Sequence, residues 1–259
     1  MITTYHRPKT LDEALTLLSQ PNRIPLGGGT LLSHASSSLS ASPTADPVEV
    51  VDLQALSLDS VNKSGNNLEV GATVTLQQLL ASVHCPDAMK SALKLEAPLN
   101  IRNTATVAGT IVTCDGRSTF TSALLALDAK LELRRSADSQ AANLGDFLPL
   151  RPRGLITSIT IPLNVKLAFE YVSRTPADKP IVCAALTQWN SGRTRLVLGG
   201  WGKIPLLAMD GTDAHGIDTA ARNAFHEAAD DYASAEYRMD AASTLVKRCI
   251  SRLNDSSTS

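Results

Sequence analysis

Three consecutive glycines, Gly27 to Gly29, follow an apolar lead-in and set the strongest local constraint on how this chain folds. Glycine has no Cβ, so it accepts left-handed backbone conformations and lets a bulky ligand approach the main chain closely. Successive N–H groups in such a turn form a concave anion site that suits a diphosphate. The segment is neither the G-x-G-x-x-G fingerprint nor a P-loop, so neither of those nucleotide sites is indicated. On its local motif alone, a plain tight turn is the preferred interpretation.

A second stretch of similar chemistry runs from Ile101 to Ile111 and contains small residues, hydroxyls and Gly109. We interpret it as a second bend, placed where β-branched strand residues give way to small ones. Two such bends brought together would hold both phosphates of a dinucleotide from opposite sides. Two unrelated bends in an α/β protein remain the alternative at this level.

Size and charge restrict the class of protein. A chain of 259 residues exceeds the usual single-domain size, so two or three lobes are expected. Its hydrophobic content of 43% and formal net charge of −1 indicate a globular protein without an electrostatic footprint for nucleic acid or an anionic membrane. No apolar run reaches the roughly 18 residues of a membrane helix, and the start lacks a signal-peptide core, so a cytoplasmic location is expected. Four scattered cysteines without C-x-x-C spacing argue against metal ligation by this chain.

Hydrophobic periodicity predicts alternating helices and strands followed by an antiparallel region. Thr10 and Glu13, and again Thr75 and Gln78, have the spacing of a capping box at a helix start. Residues 33–47 are rich in serine and proline and are predicted to form a loop. Strands are predicted at 23–26, 48–53, 67–72, 130–135, 155–161, 167–173, 181–189 and 194–198, and helices after residues 10 and 75, at 87–95, before 128, at 217–231 and at 235–253.

Together, the two segments and their separation resemble the FAD-binding medium subunit of the molybdenum hydroxylases, a family that includes carbon monoxide dehydrogenase and xanthine dehydrogenase. The family's first loop reads approximately A-G-G-T-D-L, where this chain has Gly27–Leu32. Its second loop reads I-R-N-x-A-T-V-G-G-N-I, where this chain has Ile101–Ile111. The resemblance continues from Tyr5 to Arg238 and so covers nearly the whole chain.

The resemblance implies an α+β fold. A two-lobed α/β FAD-binding domain of the PCMH (vanillyl-alcohol oxidase-like) type would be followed by a C-terminal antiparallel sheet with helices. The expected boundaries are residues 1–55 for the first lobe, 56–165 for the second lobe and 166–259 for the C-terminal domain. FAD is the implied cofactor, and neither a catalytic residue nor a metal ligand is predicted in this chain.

The resemblance also implies a set of FAD-binding residues. Backbone N–H groups of the first segment and the Thr30 hydroxyl would bind the pyrophosphate, and the second segment would close from the other side. Ile156 would pack on the flavin ring, and Tyr171 would approach its other face. Thr119 stands where the family has an aspartate that hydrogen-bonds the cofactor. The full predicted set is Gly27, Gly28, Gly29, Thr30, Leu31, Leu32, Ile101, Thr106, Ala108, Gly109, Thr110, Thr119, Ile156 and Tyr171.

The implied function is electron transfer within a hetero-oligomer. A molybdopterin-containing large subunit would oxidise the substrate, and a small subunit with [2Fe–2S] centres would pass electrons to FAD and then to NAD, a quinone or oxygen. Two alternatives stay open: a stand-alone flavin oxidoreductase of the same fold, and a degenerate assembly subunit without flavin. The departures at Leu31, Ala108, Thr110 and Thr119 favour the second alternative. No histidine lies within Gly27–Leu32, so non-covalent FAD is expected.

Overall fold

A computed structural model describes residues 2–31, 47–135, 138–176 and 178–255. Leu32 and nearly all of the predicted loop at 33–47 lie outside the described residues. The strands are β1 (Ile2–His6), β2 (Arg23–Leu26), β3 (Val48–Asp52), β4 (Val61–Ser64), β5 (Asn67–Gly71), β6 (Lys130–Arg135), β7 (Asp138–Asn143), β8 (Leu155–Pro162), β9 (Val165–Val172), β10 (Val182–Trp189), β11 (Thr194–Gly199) and β12 (Leu206–Gly211). The helices are α1 (Leu11–Leu18), α2 (Leu76–Ala81), α3 (Asp87–Glu96), α4 (Leu99–Arg102), α5 (Val107–Thr113), α6 (Thr119–Ala126), α7 (Leu144–Leu150), α8 (Ile217–Asn223) and α9 (Ala235–Asp255).

The strands form three sheets that follow one another along the chain. The first is a parallel sheet in the order β1-β3-β2, and the second has five antiparallel strands in the order β4-β5-β8-β6-β7. The third is an antiparallel sheet in the order β12-β11-β10-β9. Apart from Val165, the first residue of β9, each sheet falls within one of the three lobes expected from the sequence, although the boundaries between the lobes stay a prediction.

The third sheet shares its core with the second one. Side chains alternate along β10, so Cys183 and Ala185 point into the same hydrophobic core as the five-stranded sheet. Ala184 and Leu186 point the other way, into a second core that includes Leu245 of α9. Both faces of this sheet are therefore buried, which explains the continuous apolar run through β10.

The predicted strands are all found, and the errors fall on polar or short elements. The sequence does not predict β1, β4, β7 and β12. The side chains of β1 and β7 are mostly exposed, so these strands lack the apolar alternation on which strand prediction depends. The helix predicted at 217–231 ends at Asn223 instead. None of the described helices is both long and apolar enough to span a membrane.

An ion cluster joins the third sheet to the turn after α6. Arg195 is buried, and its Nη1 lies 2.6 Å from Asp128 and 3.1 Å from Asp210. Arg193 Nη2 lies 2.9 Å from Asp128 and 2.7 Å from Asp210 and completes the cluster. The hydrogen bond from Arg193 holds the pKa of the Asp210 carboxyl below its usual range against the opposing effect of burial, and the charge of Arg195 adds to the lowering.

This cluster predicts an acid-sensitive contribution to stability. Because the pKa of Asp210 is lower in the folded chain, its contribution is complete above the unfolded value of about 3.9 and is lost as pH falls through the folded value. Asp210→Asn should lower the free energy of unfolding by about 2 kcal/mol near neutral pH, the range of a hydrogen bond to a charged group. Denaturant titrations of both proteins should show this difference shrinking as the pH falls below about 4. A difference that is constant with pH would contradict the assignment.

Candidate functional site

The first glycine segment leaves the sheet at the carboxyl end of β2. Leu26 stands opposite Asp52 of β3, and the N–H of Leu53 donates to the carbonyl of Leu26 over 3.0 Å. Gly29 has φ of +67°, a left-handed conformation in which a Cβ would be strained. The segment therefore projects from the edge at which parallel sheets in open α/β folds bind their ligands.

The second segment is the start of a helix, so the interpretation as a bend after a strand is wrong. α4 and α5 are separated by residues 103–106, and the Thr106 hydroxyl accepts a hydrogen bond from the Gly109 N–H over 3.2 Å. Val107 and Ile111 lie on the buried face of α5. The β-branched side chains that suggested a strand thus form the apolar face of a short helix, and an N-cap threonine replaces the expected turn.

The two segments are in contact although they are far apart in sequence. A Cβ added at Gly28 would lie 1.8 Å from the carbonyl oxygen of Thr104. A Cβ added at Gly27 would lie 2.7 Å from the Thr106 hydroxyl oxygen. Only glycine fits at Gly28, because the obstacle is backbone and cannot rotate away.

A cleft of about 500 Å³ lies between the two segments, within the range of small-molecule and cofactor pockets. Its walls also include side chains from α2 and from the end of α3. Of the predicted site residues, the structure brings together Gly27, Gly28, Gly29, Thr30, Leu31, Ile101, Thr106, Gly109 and Thr110.

The backbone donors at the start of α5 already have protein partners. The N–H groups of Val107 and Ala108 donate to the carbonyls of Val74 and Ala72 over 2.8 and 3.2 Å. The N–H of Thr110 donates to the Thr106 carbonyl over 2.9 Å, and so does the Thr110 hydroxyl. The donor that the second segment can offer to a ligand in the cleft is thus the Thr106 O–H, since a hydroxyl can donate while it accepts.

Four of the predicted site residues lie outside the cleft lining. Ala108 packs against the main core, and Ile156 is 3% exposed within that core. Thr119 is fully buried, and its hydroxyl donates to the Ala92 carbonyl over 2.7 Å. Tyr171 stands on β9 with its ring stacked 6.3 Å from that of Phe169.

The structure adds residues to the cleft that sequence reasoning missed. Glu96, Cys114, Asp115 and Lys179 line it, and burial raises the pKa of the Cys114 thiol. Asp115 and Lys179 also line a neighbouring cavity of about 500 Å³. Glu96 ends an amphipathic helix and has the sequence appearance of a solvated charge, so no local signal marks its burial.

Residues 1–164 match a family described as the FAD binding domain in molybdopterin dehydrogenase. The chain belongs to this family. The family and the FAD cofactor predicted from the two segments are therefore confirmed. The cleft fits that cofactor in one further respect: Gly27, Gly28 and Gly29 line it together with Thr106 and Gly109 of the second segment, and no Cβ fits at Gly28.

Relatives of this FAD-binding chain match it along nearly its whole length. The uncharacterized protein YgfM of Escherichia coli K12 is 28% identical over 254 residues, which cover 95% of this chain and 94% of YgfM. The carbon monoxide dehydrogenase medium chain of Afipia carboxidovorans is 26% identical over 279 residues, with 96% and 95% covered. A chain of reconstituted CO dehydrogenase from Oligotropha carboxidovorans superposes with a TM-score of 0.81 at 25% identity, covering 98% of each chain. The predicted α+β fold of the PCMH type is confirmed.

The lining of the cleft predicts that FAD is held without a covalent bond. No histidine lines the cleft in the part of the chain that the structure describes. The raised pKa of Cys114 leaves little thiolate, the form that reacts. Acid precipitation of the purified protein should therefore release all of the flavin into the supernatant. A pellet that stays yellow would contradict this prediction.

Proposed function

We propose that this chain is the FAD-carrying electron-transfer subunit of a molybdenum hydroxylase complex. FAD supplies the redox chemistry when bound, because flavins exchange electrons that side chains cannot carry. The chain's residues bind the cofactor, orient it and restrict the access of water. The proposed route runs from [2Fe–2S] centres of a partner subunit through FAD to NAD, a quinone or oxygen.

The cleft is the observation that carries this proposal. Its lining combines the glycine segment after β2 with Thr106 and Gly109 of the second segment. We propose that the first segment binds the diphosphate through its main chain and that the Thr106 hydroxyl contributes from the other side. Each hydrogen bond to a charged oxygen is worth about 1.5–3 kcal/mol, so a few of them would account for tight retention of FAD.

Partner subunits follow from the chemistry that this chain lacks. Its four cysteines are buried free thiols, and the described residues hold no group of three side chains able to bind a metal ion. Two relatives are named medium chains, of carbon monoxide dehydrogenase and of glyceraldehyde dehydrogenase. We infer a cytoplasmic hetero-oligomer in which a molybdopterin-containing large subunit and a [2Fe–2S] small subunit accompany this chain.

The three expected lobes divide the work in this proposal. Residues 1–55 and 56–165 each contribute one segment to the cleft and together enclose FAD. Residues 166–259 contribute Lys179 to its rim. Because the third sheet shares a core with the second, we expect the last two lobes to unfold together.

An assembly subunit without flavin is the second candidate, and one observation favours it. The N–H groups that open α5 are all engaged within the protein, and Ala108 carries a Cβ where the resemblance expects glycine. Such a chain would keep the fold and the subunit contacts without the cofactor. A stand-alone flavin oxidoreductase is the remaining alternative, and no comparable observation among the described residues favours it.

An absorption spectrum and a metal assay distinguish the three candidates. The chain purified with its partner subunits should show flavin bands near ~370 and ~450 nm, with molybdenum and iron in the same fraction. Flavin without either metal would support the stand-alone oxidoreductase. Metals without flavin, and no uptake of added FAD, would support the assembly subunit.

A further inference from the structure

Glu96 is a buried acid on the wall of the cleft. It is the last residue of α3 and is 8% exposed, and its side chain lies where α3 meets the start of α6. Carboxylates are rarely buried unless they are paired or hydrogen-bonded, because the loss of hydration is costly. The donors that surround its two carboxylate oxygens therefore indicate the role of this residue.

The two carboxylate oxygens of Glu96 have different surroundings. Oε2 accepts from the Ser118 hydroxyl over 2.8 Å and from the Phe120 N–H over 2.9 Å. Thr119 Oγ1 lies 3.3 Å from the same oxygen and donates to the closer Ala92 carbonyl. These contacts fix the carboxylate at the start of α6, where the N-terminal end of the helix favours a negative charge.

The other oxygen, Oε1, keeps capacity for a further donor. It lies 3.7 Å from Nζ of Lys179, whose side chain is 44% exposed and also lines the cleft. A carboxylate oxygen offers two lone-pair sites, so one loose ion pair does not exhaust it. Glu96 is thus a fixed acceptor on a ligand cleft, with a partly exposed lysine as its counter-charge.

The chemistry of this acceptor selects one part of a dinucleotide. A carboxylate repels a phosphate but accepts from hydroxyl or ring N–H donors, as acidic residues do for ribose hydroxyls in other dinucleotide sites. Asp115 lines the same cleft and adds to the negative character there. The diphosphate is accordingly favoured at the glycine segment, and a neutral, donor-bearing part of FAD is favoured at Glu96.

We propose that Glu96 is a cofactor-binding residue and supplies, from α3, the carboxylate that the resemblance places at position 119. This inference rests on the proposed FAD-binding function and deepens it. Thr119 then has a positioning role: it packs against the carboxylate group and does not touch the cofactor. The ligand group at Glu96 is a hydroxyl or ring N–H of FAD.

The test is a relocation of the carboxylate, with FAD affinity as the readout. The full chain, freed of flavin, is titrated with FAD by fluorescence quenching as wild type, Glu96→Gln, Glu96→Ala and the double variant Glu96→Ala, Thr119→Asp. Ser122→Ala is the matched control, because this buried hydroxyl donates to the Ser118 carbonyl on the same helix but lies outside the cleft lining. The melting temperature of each flavin-free protein reports on its fold.

Glu96→Ala should weaken FAD binding about ten- to a hundredfold, the loss expected for one hydrogen bond to a charged group. Adding Thr119→Asp to Glu96→Ala should recover at least half of the lost FAD affinity, measured on a logarithmic scale. Ser122→Ala should lower the melting temperature and leave the affinity within about twofold, since its hydroxyl hydrogen-bonds, among the described residues, only with Ser118 and Cys183, which lie outside the cleft lining.

Several results would overturn the inference. One is FAD affinity within about threefold of wild type in Glu96→Ala or, if that variant does not fold, in Glu96→Gln. Another is a double variant that binds FAD no more tightly than Glu96→Ala. The loss of affinity would then come from a disturbed start of α6 and not from the missing carboxylate. Failure of the proposed function gives a different result from failure of this inference, because the wild-type chain itself would then bind no FAD.

Discussion

Replacement of Gly28 by alanine is expected to raise the dissociation constant for FAD at least about a hundredfold. The added Cβ would fall 1.8 Å from the Thr104 carbonyl oxygen, so the first segment must move away from the second. The diphosphate would then lose contacts from one side, and two hydrogen bonds to charged oxygens are worth about 3–6 kcal/mol together. FAD fluorescence quenching measures the affinity, and circular dichroism verifies that the chain is folded.

Gly65→Ala provides the control for this variant. Gly65 lies in the turn between β4 and β5 with φ of +56° and nothing within 4 Å of an added Cβ. Its left-handed conformation costs alanine about 1–2 kcal/mol, so the control carries a backbone penalty of its own without touching the cleft. Its FAD affinity should equal that of wild type. Equal affinities for Gly28→Ala and wild type would show that the contact between the segments does not matter for binding.

Arg238→Met is expected to lower the free energy of unfolding by about 3–5 kcal/mol, because each buried acceptor left without its donor costs about 1–3 kcal/mol. Arg238 is fully buried, and its guanidinium donates to the carbonyls of Ala228 and Ala233 over 2.6 and 2.8 Å. It also donates to the Asp230 carboxylate over 2.8 Å. Methionine fills much of the volume but satisfies none of these acceptors. Denaturant titration near neutral pH measures the difference.

Arg248→Met is the matched control on the same helix. Arg248 is exposed on α9, so its replacement should change the free energy of unfolding by no more than about 0.5 kcal/mol. Tyr232 lies in the segment that Arg238 holds, and its ring packs 4.0 Å from the Arg117 guanidinium. The Arg238 variant should therefore loosen this contact as well. Equal stability of the two variants would show that the Arg238 hydrogen bonds add nothing to the fold.

Local patterns predicted local structure well. The capping box at Thr75 is complete: Gln78 N–H donates to the Thr75 hydroxyl over 3.1 Å, and the Thr75 N–H donates to the Gln78 side chain over 2.7 Å. At Thr10 only half of the box forms, because the Glu13 carboxylate accepts from the Lys9 N–H instead. Both helix starts were predictable because the groups concerned lie within four residues of one another.

The features that the sequence did not predict depend on contacts between residues that are far apart in the chain. The helix predicted to continue to residue 231 ends early, and Arg238 binds the carbonyls of the following turn from α9. Glu96 is buried by donors more than twenty residues away, at Ser118 and Phe120. The glycine segments could be recognised as motifs, whereas Ile156 and Tyr171 were placed by resemblance alone and lie outside the cleft lining.

The central claim is that the residues near Gly28 and near Gly109 hold one FAD between them. Amide hydrogen exchange of the full chain with and without FAD tests it most directly, because it reports on both segments in one experiment. FAD should slow exchange in the peptides that contain residues 27–31 and in those that contain 104–110, and leave the turn at Gly65 unchanged. Protection of only one of the two segments, or of neither at saturating FAD, would contradict the claim.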